Sequence, residues 1–215
     1  MTVTELAILP LSTPPENGIL PSGFLDKLST AKKVLDNASG YNFHFFQQVE
    51  DPSLVYIIGR WSSVAAHDVF LPSDENKRLL ELLKDDITIS SVIMYHLDVD
   101  VYNMIGEADK KNVSEAPTIS CNRHFVPAAK KEGFIEQFQK IKGLLQDFTN
   151  PFKVVGGWRI EKESEEKEEW VLFSGFDSVA HHYEFPKTEE FVKYREIIGF
   201  VDGFEVKHLK SIPGF

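Results

Sequence analysis

Imidazole is the side chain that titrates near neutral pH without help, so the seven histidines are the first place to look for acid–base chemistry. Two of them stand in matching ten-residue stretches 115 positions apart: His67 in "WSSVAAHDVF" (61–70) and His182 in "FDSVAHHYEF" (176–185). On a helix, Val64, His67 and Leu71 fall at i, i+3 and i+7, which puts His67 on the apolar stripe; Val179, His182 and Pro186 repeat the spacing. A histidine there can take a proton from a substrate, ligate a metal or haem iron, or donate one N–H to a backbone carbonyl and pack. Packing is the simpler expectation, because the same residue stands in both stretches. A second pair, His96 in "MYHLDV" and His208 in "VKHLKS", falls on strands. Those two either approach a common ligand or satisfy each other or water.

Asn122 is the other candidate. Strand alternation puts Ser120, Asn122 and His124 on one face, with Cys121 and Phe125 on the other. Two readings stay open: the polar end of a pocket, with Asn122 donating to a substrate carbonyl or dioxygen, or the exposed face of an edge strand. Cys121 reads as a small buried hydrophobe. "YNFHFF" (41–46) reads as core before cofactor box, with either Phe43 and Phe45 or His44 and Phe46 facing the cavity. No metal site is expected, since the sequence has no Cys pair and no H-x-x-x-H with an acidic partner. Glycine-rich phosphate loops and serine-hydrolase elbows are missing, and Gly156-Gly157 reads as a bulge or a close backbone approach.

These residues need elements to carry them. Sliding the chain on itself by 115 places Ser63, Val64, Ala65, His67 and Phe70 on Ser178, Val179, Ala180, His182 and Phe185. Strands are expected at 4–11 and 118–126, 42–49 and 153–160, 54–61 and 169–176, and 91–99 and 203–209. Between the first two strands of each unit lies a helix, marked by Phe24, Leu28, Ala31 and Leu35 and by Phe134, Phe138, Ile141 and Leu145. A second helix follows Trp61 or Phe176, with Ser62 and Asp177 as its expected caps. The charged run "EKESEEKEE" (161–169) is expected to form a solvated hairpin tip. The order β-α-β-β-α-β is ferredoxin-like. The fold class is therefore α+β: two tandem ferredoxin-like domains, 1–105 and 116–215, joined by a polar linker at 106–117. Sheets of this kind bury their open faces, so the two are expected to pair sheet to sheet as an internal pseudo-dimeric α+β barrel, with a ligand space between them.

Composition narrows the partners. A net charge of −10 opposes a phosphate backbone or an anionic membrane surface, so neither nucleic acid nor membrane is expected. No stretch approaches the ~20 apolar residues of a membrane span. The N-terminal run lacks basic residues ahead of its short apolar stretch, so no secretory leader is expected. With a single cysteine, Cys121, no internal disulfide can form, and a cytoplasmic location is the expectation.

The tract "YIIGRWSSVAAHDVFLPSDENKRLLELL" (56–83) resembles the strand–helix segment of antibiotic-biosynthesis-monooxygenase (ABM) domains of the dimeric α+β barrel superfamily. The matching positions are Trp61, Ser62, Ala66 and His67, then Phe176, Asp177, His181 and His182. "ISCNRHFVPAAKKEGFIEQF" (119–138) is similar to the opening of haem-degrading ABM proteins. Its matched positions are Asn122, Phe176 and His182; the tryptophan of that set occurs here as Trp61, in the unit whose first strand carries Ala7 instead of asparagine. The resemblance implies a cofactor-independent monooxygenase acting on an aromatic or polyketide-type small molecule, with Asn122, His182, Trp61 and His67 as its catalytic residues. A non-catalytic small-molecule-binding barrel and a haem-binding or haem-degrading protein are the alternatives. The implied partner is a small hydrophobic or aromatic molecule, no cofactor is expected unless haem binds, and a homodimer is possible.

Overall fold

The structure, a computed structural model, describes residues 1–105 and 109–215; the expected linker starts within the three residues outside that range. The chain divides into two units, Met1–Asp100 with Lys210–Phe215, and Val101–Leu209.

The first unit runs β1 (Val3–Pro10), α1 (Ser22–Ser39), β2 (His44–Gln48), β3 (Leu54–Trp61), α2 (Val64–Phe70), α3 (Asp74–Leu83) and β4 (Ile93–Leu97). Its strands pair antiparallel in the order β4-β1-β3-β2. The buried residues of α1 are the four that the helical spacing marked, Phe24, Leu28, Ala31 and Leu35. Each large one contributes about 1.5–3 kcal/mol by leaving water, so packing more than propensity holds the helix. The helix stops at Gly40, whose φ of 78° lets its N–H turn back to the Asp36 carbonyl. Phe43 and Phe45, not His44, point into this core. The last residues of the chain belong here too: Ile212 donates its N–H to the Phe45 carbonyl, and the Phe215 ring packs on Phe45.

The second unit runs β5 (Thr118–Pro127), α4 (Lys131–Phe148), β6 (Val155–Trp158), β7 (Lys167–Phe176), α5 (Val179–His182), α6 (Glu189–Tyr194) and β8 (Gly203–Ser211). Its order, β8-β5-β7-β6, copies that of the first. Phe134, Phe138, Ile141 and Leu145 are the buried residues of α4, again as spaced in the sequence. Gly156 marks a close approach: a Cβ there would lie 2.7 Å from the Trp170 ring.

Two local expectations need correction. The caps lie one residue beyond Ser62 and Asp177: Ser63 Oγ accepts from the Ala66 N–H at 3.1 Å, and Ser178 Oγ from the His181 N–H at 3.0 Å. Ser63 and Ser178 have extended backbone (φ −168° and −164°), the conformation that aims a capping oxygen at the first turn. The charged run at 161–169 is not solvated throughout. Glu168 and Glu169 enter β7 and are buried, Glu168 against Lys131 and Lys162, Glu169 against Arg123 and Arg159. Although burial opposes it, the arginines hold the Glu169 carboxyl below the usual carboxylate range.

Candidate functional site

In each unit the helix histidine reaches the strand histidine. His67 Nδ1 on α2 lies 2.8 Å from His96 Nε2 on β4, and His182 Nδ1 on α5 lies 2.8 Å from His208 Nε2 on β8. In each pair one nitrogen carries the proton and the other accepts it. The aromatic that ends the preceding strand stacks on the helix histidine: Trp61 on His67 at 4.4 Å and 8°, Phe176 on His182 at 4.3 Å and 21°. His96 and His208 thus each have the helix histidine of their own unit as a partner. Strand alternation alone does not reveal this, because the contact needs the helix laid back over the sheet.

Beside the second pair lies a cavity of about 260 Å³. Asn122, His124, Ser174 and His182 line its polar end, and rings such as Phe185, Phe191 and Tyr194 line its walls. The strand that carries Asn122 is central, bonded to β7 on one side and β8 on the other, so its polar face is not that of an edge strand. Asn122 Oδ1 accepts from Ser120 Oγ at 2.8 Å, so the neighbouring serine fixes the amide and leaves Nδ2 as its donor. Ser174 Oγ and His124 Nδ1 are buried without a hydrogen-bond partner among the described residues. Uncommitted buried polar atoms are uncommon in native proteins, and in a cavity wall they suit a ligand. Burial pushes the His124 imidazole down to about 4, against a smaller opposing pull from the Trp170 and Asn122 backbone, so it is neutral at pH 7. Tyr183, Ile198 and Phe204 also line the cavity and are 56%, 44% and 52% exposed, which gives it an apolar mouth.

The first unit has its own cavity, of about 380 Å³, apolar except for Glu5, His67 and Asn76. Glu5 stands opposite His96 in the β1–β4 register. Trp61 Nε1 donates to Glu5 Oε2 at 2.6 Å, and His67 Nε2 lies 3.6 Å from the same oxygen. Burial pushes the Glu5 carboxyl up to about 7, although the Trp61 hydrogen bond and the charge of His96 pull the other way. Sequence reasoning missed Glu5. The available signal was a lone charge in the apolar run "VTELAILP", on the face shared by Val3, Ala7 and Leu9. The corresponding position in the second unit is Ser120.

The four residues singled out in the sequence therefore divide between the units. Asn122 and His182 line the second cavity together, whereas Trp61 and His67 belong to the Glu5 cluster of the first. His181 faces Phe148 at 4.9 Å and takes no part in either cavity lining. Both cavities are built from residues of a single unit, between its sheet and its helices. Cys121 is on the opposite face of β5, where burial pushes its thiol up to about 12 and makes it a poor nucleophile. Among the described residues no helix is long and apolar enough to cross a membrane.

The sequence matches no protein-family model and no curated protein. Solved structures do match. An anthrone oxidase-like protein aligns at 12% identity and a TM-score of 0.66, covering 98% of this chain and 91% of the other. A "putative monooxygenase" from Lactobacillus acidophilus NCFM aligns at 14% and 0.63, covering 98% and 93%. A variant of the chlorite dismutase from Candidatus Nitrospira defluvii aligns at 9% and 0.54, covering 99% and 91%. These likenesses show the fold: two ferredoxin-like α+β units in one chain.

Proposed function

We propose that this chain is a cofactor-independent monooxygenase-like enzyme that oxidises an aromatic or polyketide-type ketone in the second unit's cavity. One observation carries the reading: a histidine backed by a second histidine and a fixed amide donor share the polar end of an aromatic-walled space. The substrate class is one whose CH₂ lies between aryl rings and is conjugated to a carbonyl. His182 takes a proton from that carbon, and His208 shares the resulting charge across their hydrogen bond. Asn122 Nδ2 and Ser174 Oγ donate to the oxygen that becomes an enolate. The carbanion then supplies the electrons. It adds dioxygen to form a C–O bond, the peroxide takes up the proton, and loss of water leaves a carbonyl. In sum, CH₂ and O₂ become C=O and H₂O, with no outside reductant. The anthrone oxidase-like structural neighbour supports this substrate class.

The charge of the lining counts against haem in the same cavity. The group carries two propionates, and the lining offers Arg195 as its one arginine or lysine. Oxygen uptake with anthrone as substrate tests the proposal. Removing the base or the donor, in His182→Ala or Asn122→Ala, is expected to lower the protein-dependent rate about 10²–10³-fold. Uptake no faster than in protein-free buffer, or unchanged in both variants, contradicts it.

A further inference from the structure

The Glu5 cluster lies in the first unit and has no part in the chemistry proposed for the second, so it can hold a ligand whether or not that chemistry occurs. A carboxyl only 4% exposed on an apolar sheet face needs a reason to be there. Its two oxygens are not equivalent. Oε2 accepts the Trp61 indole proton and faces His67, while no group among the described residues hydrogen-bonds Oε1. The proton of the neutral acid therefore belongs on Oε1, the oxygen left for whatever enters the cavity that Glu5 lines.

The other two polar side chains of that cavity each have one nitrogen already engaged. Asn76 Nδ2 donates to the Leu71 carbonyl, and His67 Nδ1 is held by His96. The remaining walls are apolar, among them Leu28, Phe45, Ile57, Phe70 and Leu79, around a volume of about 380 Å³. A space of this size and polarity is typical of small-molecule sites, in which a few polar groups set orientation and apolar walls supply contact area.

We propose that the first unit is a second binding site, for a small apolar ketone whose carbonyl accepts a hydrogen bond from the neutral Glu5 carboxyl. A ligand that presents a hydroxyl alone fits less well, because neutral Oε1–H is a donor in want of an acceptor. Ionising Glu5 removes the donor and sets a buried negative charge against the carbonyl oxygen, so binding is lost as the carboxyl deprotonates. The groups facing Glu5 are His96 from β4, His67 from α2 and Trp61 from β3, while the α1 and α3 residues of the cavity lining include no titratable side chain.

The Trp61 indole N–H reports on the site directly, since it is bonded to Glu5. Its ¹H–¹⁵N resonance, assigned with Trp61→Phe, is followed while 9-fluorenone is added to the full chain at about pH 6 and about pH 8.5. With a carboxyl titrating near 7, affinity should fall about thirty-fold between those conditions. Glu5→Gln keeps a neutral donor in the same place and leaves both histidines, so it should bind equally well at both pH values. Three outcomes overturn the proposal: no saturable shift of the Trp61 resonance at the lower pH, equal affinity of the wild type at both, or an undiminished pH dependence in Glu5→Gln. The first two are read on the unmutated protein, so they do not depend on how well the variant folds.

Discussion

Replacing Glu5 by glutamine should stabilise the protein at alkaline pH and change little at acid pH. Glutamine has the size of the neutral carboxyl, and its amide oxygen can still accept from Trp61 Nε1, the bond now 2.6 Å long. What it removes is an ionisation. Burial raises Glu5 from 4.5 to about 7, a difference of roughly 2.5 units, and each unit is worth about 1.4 kcal/mol. The sign follows from the folded carboxyl holding its proton more tightly than the unfolded one. Its favourable contribution is complete below about pH 4.5 and is lost as pH rises to about 7, after which the folded state carries a buried charge. Urea unfolding of both proteins, followed at the Trp61 indole resonance, should show the variant gaining about 3 kcal/mol on the wild type between pH 4 and pH 8.5. His124 titrates in both chains and drops out of the difference. A difference that stays flat to within about 1 kcal/mol would refute the claim that Glu5 is buried as the neutral acid.

Other consequences can be checked separately. His124, pushed down to about 4 by burial, stabilises the fold above pH 6.5 and ceases to as pH falls toward 4; His124→Gln should flatten that acid loss, of about 3 kcal/mol, in urea unfolding. A Cβ at Gly59 would sit 2.1 Å from the Phe43 ring, which is fully buried, so Gly59→Ala should cost about 1–3 kcal/mol in the same assay. Cys121 should resist a disulfide reagent at pH 8 until urea opens the second unit, because its thiol titrates near 12 and is buried. Haemin should give no saturable Soret shift that depends on His182, as the cavity lacks a second cation for the propionates.

Local patterns in the sequence held where local physics decides them. The apolar residues of α1 and α4 are buried as their spacing requires, and the stretches around His67 and His182 make the same stacked contact twice. Pairing across long separations did not show. Glu5 meets Trp61 through residues 56 positions apart, and Glu169 is buried because Arg123, 46 positions away, reaches it from the adjacent strand. Each carboxylate alone in the sequence looks like a solvated charge. Only register, which sets side chains opposite one another, turns one into a buried acid and the other into an ion pair. The cavities escaped notice for a similar reason. Sheet faces suggested a ligand space between the units, whereas the space each unit encloses depends on how its helices cross its own sheet.

If the second unit makes a carbanion before oxygen reacts, that carbanion can be watched with oxygen withheld. Anthrone is mixed anaerobically with the protein at neutral pH, and the absorbance of its enolate, at longer wavelength than the ketone, is recorded. The enolate should accumulate on the wild type, disappear when oxygen is admitted, and not form in His182→Ala. No enolate on the wild type, or equal amounts on the variant, would contradict a carbanion-first route.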